Sequence, residues 1–167
     1  MGESTLRTGG EIAEIYMRHV NTVYRVALMM LNNIQEAEDA TQTTFIKLMS
    51  TEKEFENDEH QKAWLIVTTQ NICRNIFKSW WRVKRVDLES IEEQASYSEP
   101  VESEVWNAVS NLDRKYRILV YIHYYEGYKT EEIARMLGVN HATVRTRLRT
   151  ARAKLKITLE DSDYAYE

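Results

Sequence analysis

Cysteine, proline and glycine are scarce in these 167 residues: one Cys, one Pro and five Gly. A single cysteine, Cys73, rules out an intrachain disulfide and any metal site built on a cysteine cluster. So little glycine and proline leaves few places to turn strands, which favours helices over a sheet. No apolar run approaches the ~18 residues of a membrane span, and the N-terminus lacks a basic segment followed by an apolar one. These absences argue against export and direct membrane insertion and point to a reducing cytoplasm. Four scattered histidines and the lack of a glycine-rich phosphate loop supply no catalytic set, so no enzyme activity, metal or cofactor is expected.

What is present is the profile of a soluble globular chain, 43% hydrophobic and 29% charged, long enough for one medium domain or two small ones. Apolar residues recur every three or four positions from Ile12 through Ile15, Val20, Val23 and Ala27 to Leu31, predicting a long amphipathic helix. Asn33 with Glu36 resembles a capping box and opens a second helix through Ala37, Ala40, Thr41, Phe45, Leu48 and Met49. The charged stretch 51–59 reads as a loop, and a third long helix runs from about His60 into Trp80 and Trp81. From Asp87 to Glu104 there are seven acidic residues, no basic ones and the only proline, Pro100, which reads as a linker. Helices near Val101–Asn111 and Asp113–Tyr125 and a turn at Glu126 and Gly127 follow. The expected fold is therefore all-α: two small helical domains, 10–86 and 101–160, joined by an acidic linker at 87–100.

The segment from Thr130 to Lys156 has the grammar of a helix-turn-helix. Thr130 is a candidate N-cap, with Glu131 and Glu132 near the positive end of the helix dipole. Gly138 suits the left-handed conformation that ends a helix, and Asn140 can cap the next. In the second helix Val144, Leu148, Ala151 and Leu155 fall on one side, while Arg145, Arg149, Arg152 and Lys156 form a neighbouring stripe. From Ile133 to Leu159 there are seven Lys or Arg residues and no acid, although the whole chain carries a formal charge of -4. Segregated charge of this kind suits phosphate contacts, and a solvated surface helix is the bland alternative.

Three motifs in order carry a family resemblance: Glu36 to Phe45 (EAEDATQTTF); Ala63, Trp64 and Leu65 with Asn71; and Glu132 to Gly138 (EIARMLG) followed by Thr143 to Arg152 (TVRTRLRTAR). Over about residues 12 to 159 the chain resembles the extracytoplasmic-function, or group 4, sigma factors of bacterial RNA polymerase. The resemblance implies a region 2-like N-terminal domain, a region 4-like C-terminal domain, and promoter-specific initiation as the function. It implies core RNA polymerase as a partner, through its beta-prime clamp helices and beta flap, together with promoter DNA and an anti-sigma factor.

The same resemblance implies roles for particular residues. Glu38, Asp39, Gln42 and Phe45 match the polymerase-docking motif, and an acceptor and an amide one turn apart can hydrogen-bond an arginine-rich coiled coil. Asn71, Arg74, Lys78, Trp80, Trp81 and Arg82 match the helix that opens the minus-10 element and holds the displaced strand. There the cations, with Lys84 and Arg85, can track phosphates, while Trp80 and Trp81 either stack on bases or pack in the core. The loop from Thr51 to Asp58 matches the family's specificity loop. In the C-terminal domain Arg145, Thr146 and Arg149 are placed to read base edges of the minus-35 element, and His141, Thr143, Arg147 and Arg152 to contact phosphates or position the helix.

The chain departs from the family pattern at Asn75 and Lys78, where Asp and Arg are common, and at Asp113, where a Leu-Pro pair is common and this chain has Leu112 followed by Asp113. Asp113 is itself a good helix cap. The acidic linker is either an occupant of the polymerase's RNA path or a solvated spacer. A self-sufficient helix-turn-helix regulator is the competing function, against which the docking motif argues.

Overall fold

Thr8 and Glu11 start the first helix by exchanging bonds. The Thr8 hydroxyl accepts from the Glu11 N–H at 3.2 Å, and the Glu11 carboxylate accepts from the Thr8 N–H at 2.8 Å. The computed structural model describes residues 6–83 and 104–164. Among these it contains seven α-helices and no strand. Two compact units result, Met1–Ser96 and Tyr97–Glu167. The acidic stretch 87–100, the cations Lys84 and Arg85, and the helix start expected at Val101 lie outside the described residues.

The first unit holds α1 (Gly9–Leu31), α2 (Ile34–Ser50) and α3 (Asp58–Val83), each packed on the other two. Two asparagines make the corner between α1 and α2. Asn32 adopts the left-handed conformation at φ 50° and ends α1, while Asn33 is extended and its side chain accepts from the Glu36 N–H at 3.0 Å. Ile15, Val23, Phe45, Leu48 and Leu65 form a core cluster, with Ile12, Val20, Phe55 and Trp64 packed around it. Buried hydroxyls inside this unit are satisfied: Thr44 and Thr69 lie 3.2 Å apart and bond the carbonyls of Ala40 and Leu65. Asp58 ties α1 to the start of α3 by meeting both Arg18 and His19 at 2.9 Å. Helix α3 thus begins inside the stretch expected to be loop, because Asn57 accepts the His60 N–H at 2.8 Å and caps it.

The second unit holds α4 (Glu104–Ser110), α5 (Arg114–Val120), α6 (Thr130–Leu137) and α7 (His141–Tyr164), with α4, α5 and α6 each packed on α7. The helix expected at Asp113–Tyr125 is two things. After Val120 it widens into a π-helical turn, Tyr121–Tyr125, closed by the Glu126 N–H on the Tyr121 carbonyl at 3.1 Å. Asp113 stands at the N-cap of α5 but makes no side-chain cap bond; its carbonyl instead receives Tyr116 and Arg117. Thr130 is likewise the first helical residue of α6 and not its cap. Lys129 is the extended cap residue, and its N–H donates to the Glu132 carboxylate at 2.7 Å. Helix α7 also runs past the expected end at Lys156, to Tyr164.

Gly138 ends α6 at φ 62°, and an added Cβ there would meet no atom within 4 Å. Gly138→Ala is therefore expected to cost only the backbone strain of a left-handed alanine, about 1 kcal/mol. Thermal unfolding of the variant would show it as a lowered midpoint; an unchanged one would mean that the turn readily takes another path.

Candidate nucleic-acid interface

Helix α7 is anchored by its first turn. The Asn140 side chain accepts from the Ala142 N–H at 2.8 Å, and the Val139 N–H closes on the Ala134 carbonyl at 3.1 Å. Val144, Leu148 and Ala151 are fully buried, as their spacing predicted, and Leu155 is half-buried. At about 100° per residue, Arg145, Arg149 and Arg152 line one shoulder of the helix, Thr143 and Arg147 the other, and Thr146 the ridge between. Arg145, Thr146, Arg149 and Arg152 are exposed, while Thr143 and Arg147 are half-buried. A ridge flanked by cations fits a groove whose two walls are phosphates.

Two residues of this set have partners within the unit. The His141 Nε2 atom lies 2.8 Å from the Thr130 hydroxyl, which joins the starts of α6 and α7. Arg152 donates to the Tyr124 hydroxyl at 2.8 Å, and Tyr124 is presented by the π-helical turn. Arg117, which sequence reasoning did not single out, donates to the Leu112 carbonyl at 2.8 Å. Burial and then neighbouring Arg114 push its guanidinium down to about 10, with Asp113 opposing, so it stays charged at neutral pH.

In the first unit Asn71, Arg74, Asn75, Lys78 and Arg82 share one exposed face of α3. The adjacent tryptophans part company. Trp81 is 54% exposed at the border of the cationic face, whereas Trp80 is half-buried and edge-on to Phe77 with ring centroids 5.2 Å apart. Of the two expected stacking residues, Trp81 leaves its ring open to solvent and Trp80 is packed on Phe77.

On α2, Glu38, Asp39 and Gln42 are exposed, but Phe45 is not. At 5% exposure it sits in the core cluster, with the Tyr16 ring edge-on at 4.9 Å, so of the four residues expected to dock it alone is turned inward, away from any partner. The outward row instead continues from Gln42 into Ile46, 61% exposed, and Met49, 53% exposed. Sequence reasoning did not single out Ile46 and counted Met49 among the apolar positions of the helix, although their spacing four and seven places after Gln42 puts both off the core face. Among the described residues no group of His, Cys, Asp and Glu could hold a metal ion, and no helix is long and apolar enough to cross a membrane.

Two family models match the chain: Sigma-70 region 2 over residues 15–83, and Sigma-70, region 4 over residues 102–155. The chain belongs to the sigma-70 family. Among its relatives is the RNA polymerase sigma factor SigV of Bacillus subtilis (strain 168), 26% identical over 147 residues that make up 87% of this chain and 89% of that protein. Another is the ECF RNA polymerase sigma factor SigE of Mycolicibacterium smegmatis, 26% identical over 153 residues, 86% of this chain and 59% of the relative. The solved sigma factor RpoE from Bartonella quintana, in complex with the anti-sigma factor NepR, shares the fold. Its TM-score is 0.72 at 21% identity, over 90% of this chain and 97% of that one. Within this extracytoplasmic-function sigma factor, region 2 spans the acid-amide row of α2 and the cationic face of α3, and region 4 spans the helix-turn-helix.

Proposed function

We propose that this sigma factor works as a dissociable initiation subunit whose outward helix faces divide the labour. The α2 row of Glu38, Asp39 and Gln42, extended by Ile46 and Met49, docks on the beta-prime clamp helices of core RNA polymerase. The α3 face of Asn71, Arg74, Lys78 and Arg82, with Trp81 beside it, follows phosphates and stacks on a base of the opened minus-10 element. The α7 ridge enters the major groove of the minus-35 element, where Arg145, Thr146 and Arg149 meet base edges and the remaining cations hold phosphates. The observation that carries this reading is the separation of faces: acid, amide and apolar side chains point out of α2, while cations point out of α3 and α7.

The chain adds recognition and no catalysis of its own, and it acts in the cytoplasm, where polymerase and promoter DNA are. An anti-sigma factor is the partner expected to hold it inactive, as the complex of the Bartonella quintana relative suggests.

Transcription by core polymerase from a set of promoters, with and without this chain, tests the proposal. Selective initiation only when the chain is present supports it. Tight promoter binding without polymerase would favour a self-sufficient regulator instead. Arg149→Ala is expected to weaken minus-35 binding by about 1–3 kcal/mol, the worth of a two-donor guanine contact. Core polymerase binding, measured in parallel, should stay as it was; its loss would refute the assignment of faces.

A further inference from the structure

Arg7 precedes α1 and lies outside the region 2 match, which begins at residue 15. Its side chain nevertheless reaches the far end of α2. The Nη1 atom donates to the carbonyls of Thr51 at 2.9 Å and Leu48 at 3.4 Å, and Nη2 donates to the carbonyl of Lys53. The guanidinium carbon also lies 4.9 Å from the centre of the Phe55 ring. Leu48 is in the last turn of α2, where carbonyls lack helical partners and a cation is favoured by the helix dipole. Arg7 therefore caps α2 from a distant part of the chain and binds the first residues of the loop that follows.

The other end of that loop is held by local bonds. His60 Nδ1 accepts from the Glu56 N–H at 3.2 Å, and the Asn57 side chain accepts from the His60 N–H at 2.8 Å. Phe55 joins the two ends, lying edge-on to both Trp64 and His60 with centroids 5.5 Å apart. Between these anchors the side chains of Glu52, Lys53 and Glu54 are exposed. The loop is thus built as a span held at both ends. At its upstream end one guanidinium adds to the local bonds of the Lys53 N–H to the Thr51 hydroxyl at 3.3 Å and of the Thr51 N–H to the Lys47 carbonyl at 3.0 Å.

We infer that Arg7 is a positioning residue for minus-10 selection: its bonds to Leu48, Thr51 and Lys53 and its contact with Phe55 set the path of loop 51–57. This inference rests on the proposed function of the first unit, with loop 51–57 taking the part that the family resemblance gives to the specificity loop. Only a guanidinium can do this work. Its planar fork offers five donors and leaves a face for the phenyl ring, whereas a lysine ammonium is a single point of charge. A loop held in one shape rejects a wrong base because it cannot adapt, and a released loop lowers that penalty. The α2 docking row uses none of these bonds.

The test compares holoenzymes carrying the wild-type chain, Arg7→Ala and Arg7→Lys. Templates are a promoter found by mapping transcript starts and its single-base variants across the minus-10 element. Loss of the forked set of bonds, which neither alanine nor lysine can reproduce, is expected to cut the preference for the native sequence about tenfold in both variants. Affinity for core polymerase should be retained, and amide exchange of residues 52–56 in the free chain should quicken. If Arg7→Ala destabilises the unit, Arg7→Lys, which keeps the charge, carries the comparison. A selective wild type with unaltered preference in both variants overturns the inference. So does a uniform loss of initiation on all templates with the ratio preserved, which is the mark of a purely structural arginine. A wild-type chain that confers no selective initiation overturns the proposed function itself, and this inference with it.

Discussion

Leu148→Ala is expected to remove most of the stability of the second unit. Leu148 is 1% exposed in the N-terminal half of α7, the helix on which α4, α5 and α6 all pack. Truncating a buried leucine costs about 2–5 kcal/mol, the lost transfer free energy plus the cavity left behind. A helical unit of ~60 residues holds only about 3–9 kcal/mol in total. The variant should melt its C-terminal transition well below that of the wild type in scanning calorimetry and bind minus-35 duplex poorly. Transition of the first unit should be unmoved, since its core is built from α1, α2 and α3. A loss under about 1 kcal/mol would mean that the neighbours collapse into the space, and that Leu148 is not the centre of this core.

Asp39→Arg is the second large effect, and it strikes binding without touching the fold. Asp39 is exposed on α2, so reversing its charge leaves every core contact in place. If α2 docks as proposed against an arginine-rich coil, the new arginine would face like charge in a partly dry interface, at a cost of several kcal/mol. Affinity for core polymerase should fall by at least about thirtyfold, a step of ~2 kcal/mol. Helix content and minus-35 binding by the second unit should be retained. Unchanged polymerase affinity would remove Asp39 from the docking face.

Much of this molecule was legible because it obeys local rules. The spacing of Val144, Leu148 and Ala151 announced the core face of α7, and Gly138, Asn140 and Asn33 announced the ends of helices. Thr130 misled because a cap is decided by backbone angles, and the extended residue proved to be Lys129, whose side chain gives no hint of it. The T-x-x-E pattern of Thr8 and Glu11 was readable and went unread. Phe45 had two readings, an apolar position of the second helix and a member of the polar motif, and its place in the core cluster beside Tyr16 decides for the first. The π-helical turn was beyond reach, since a periodicity of 3.6 continues plausibly through Tyr121–Tyr125. Contacts far apart in the chain were invisible: Arg7 with Lys53, and Arg152 with Tyr124, depend on where the helices meet and not on any pattern along them.

The bond between Thr130 and His141 carries a consequence for how region 4 meets a promoter. It joins the first residues of α6 and α7 across the turn, so the crossing of the two helices is settled when the unit folds. A reader that arrives already shaped loses little conformational freedom on contact, and less of its gross interaction with DNA is offset by ordering. Rigidity of this kind also narrows tolerance. A helix pair tied at its starts leaves more of the adaptation to the duplex, so promoters whose minus-35 segment bends or opens its groove with least resistance are expected to be favoured even at positions no side chain touches.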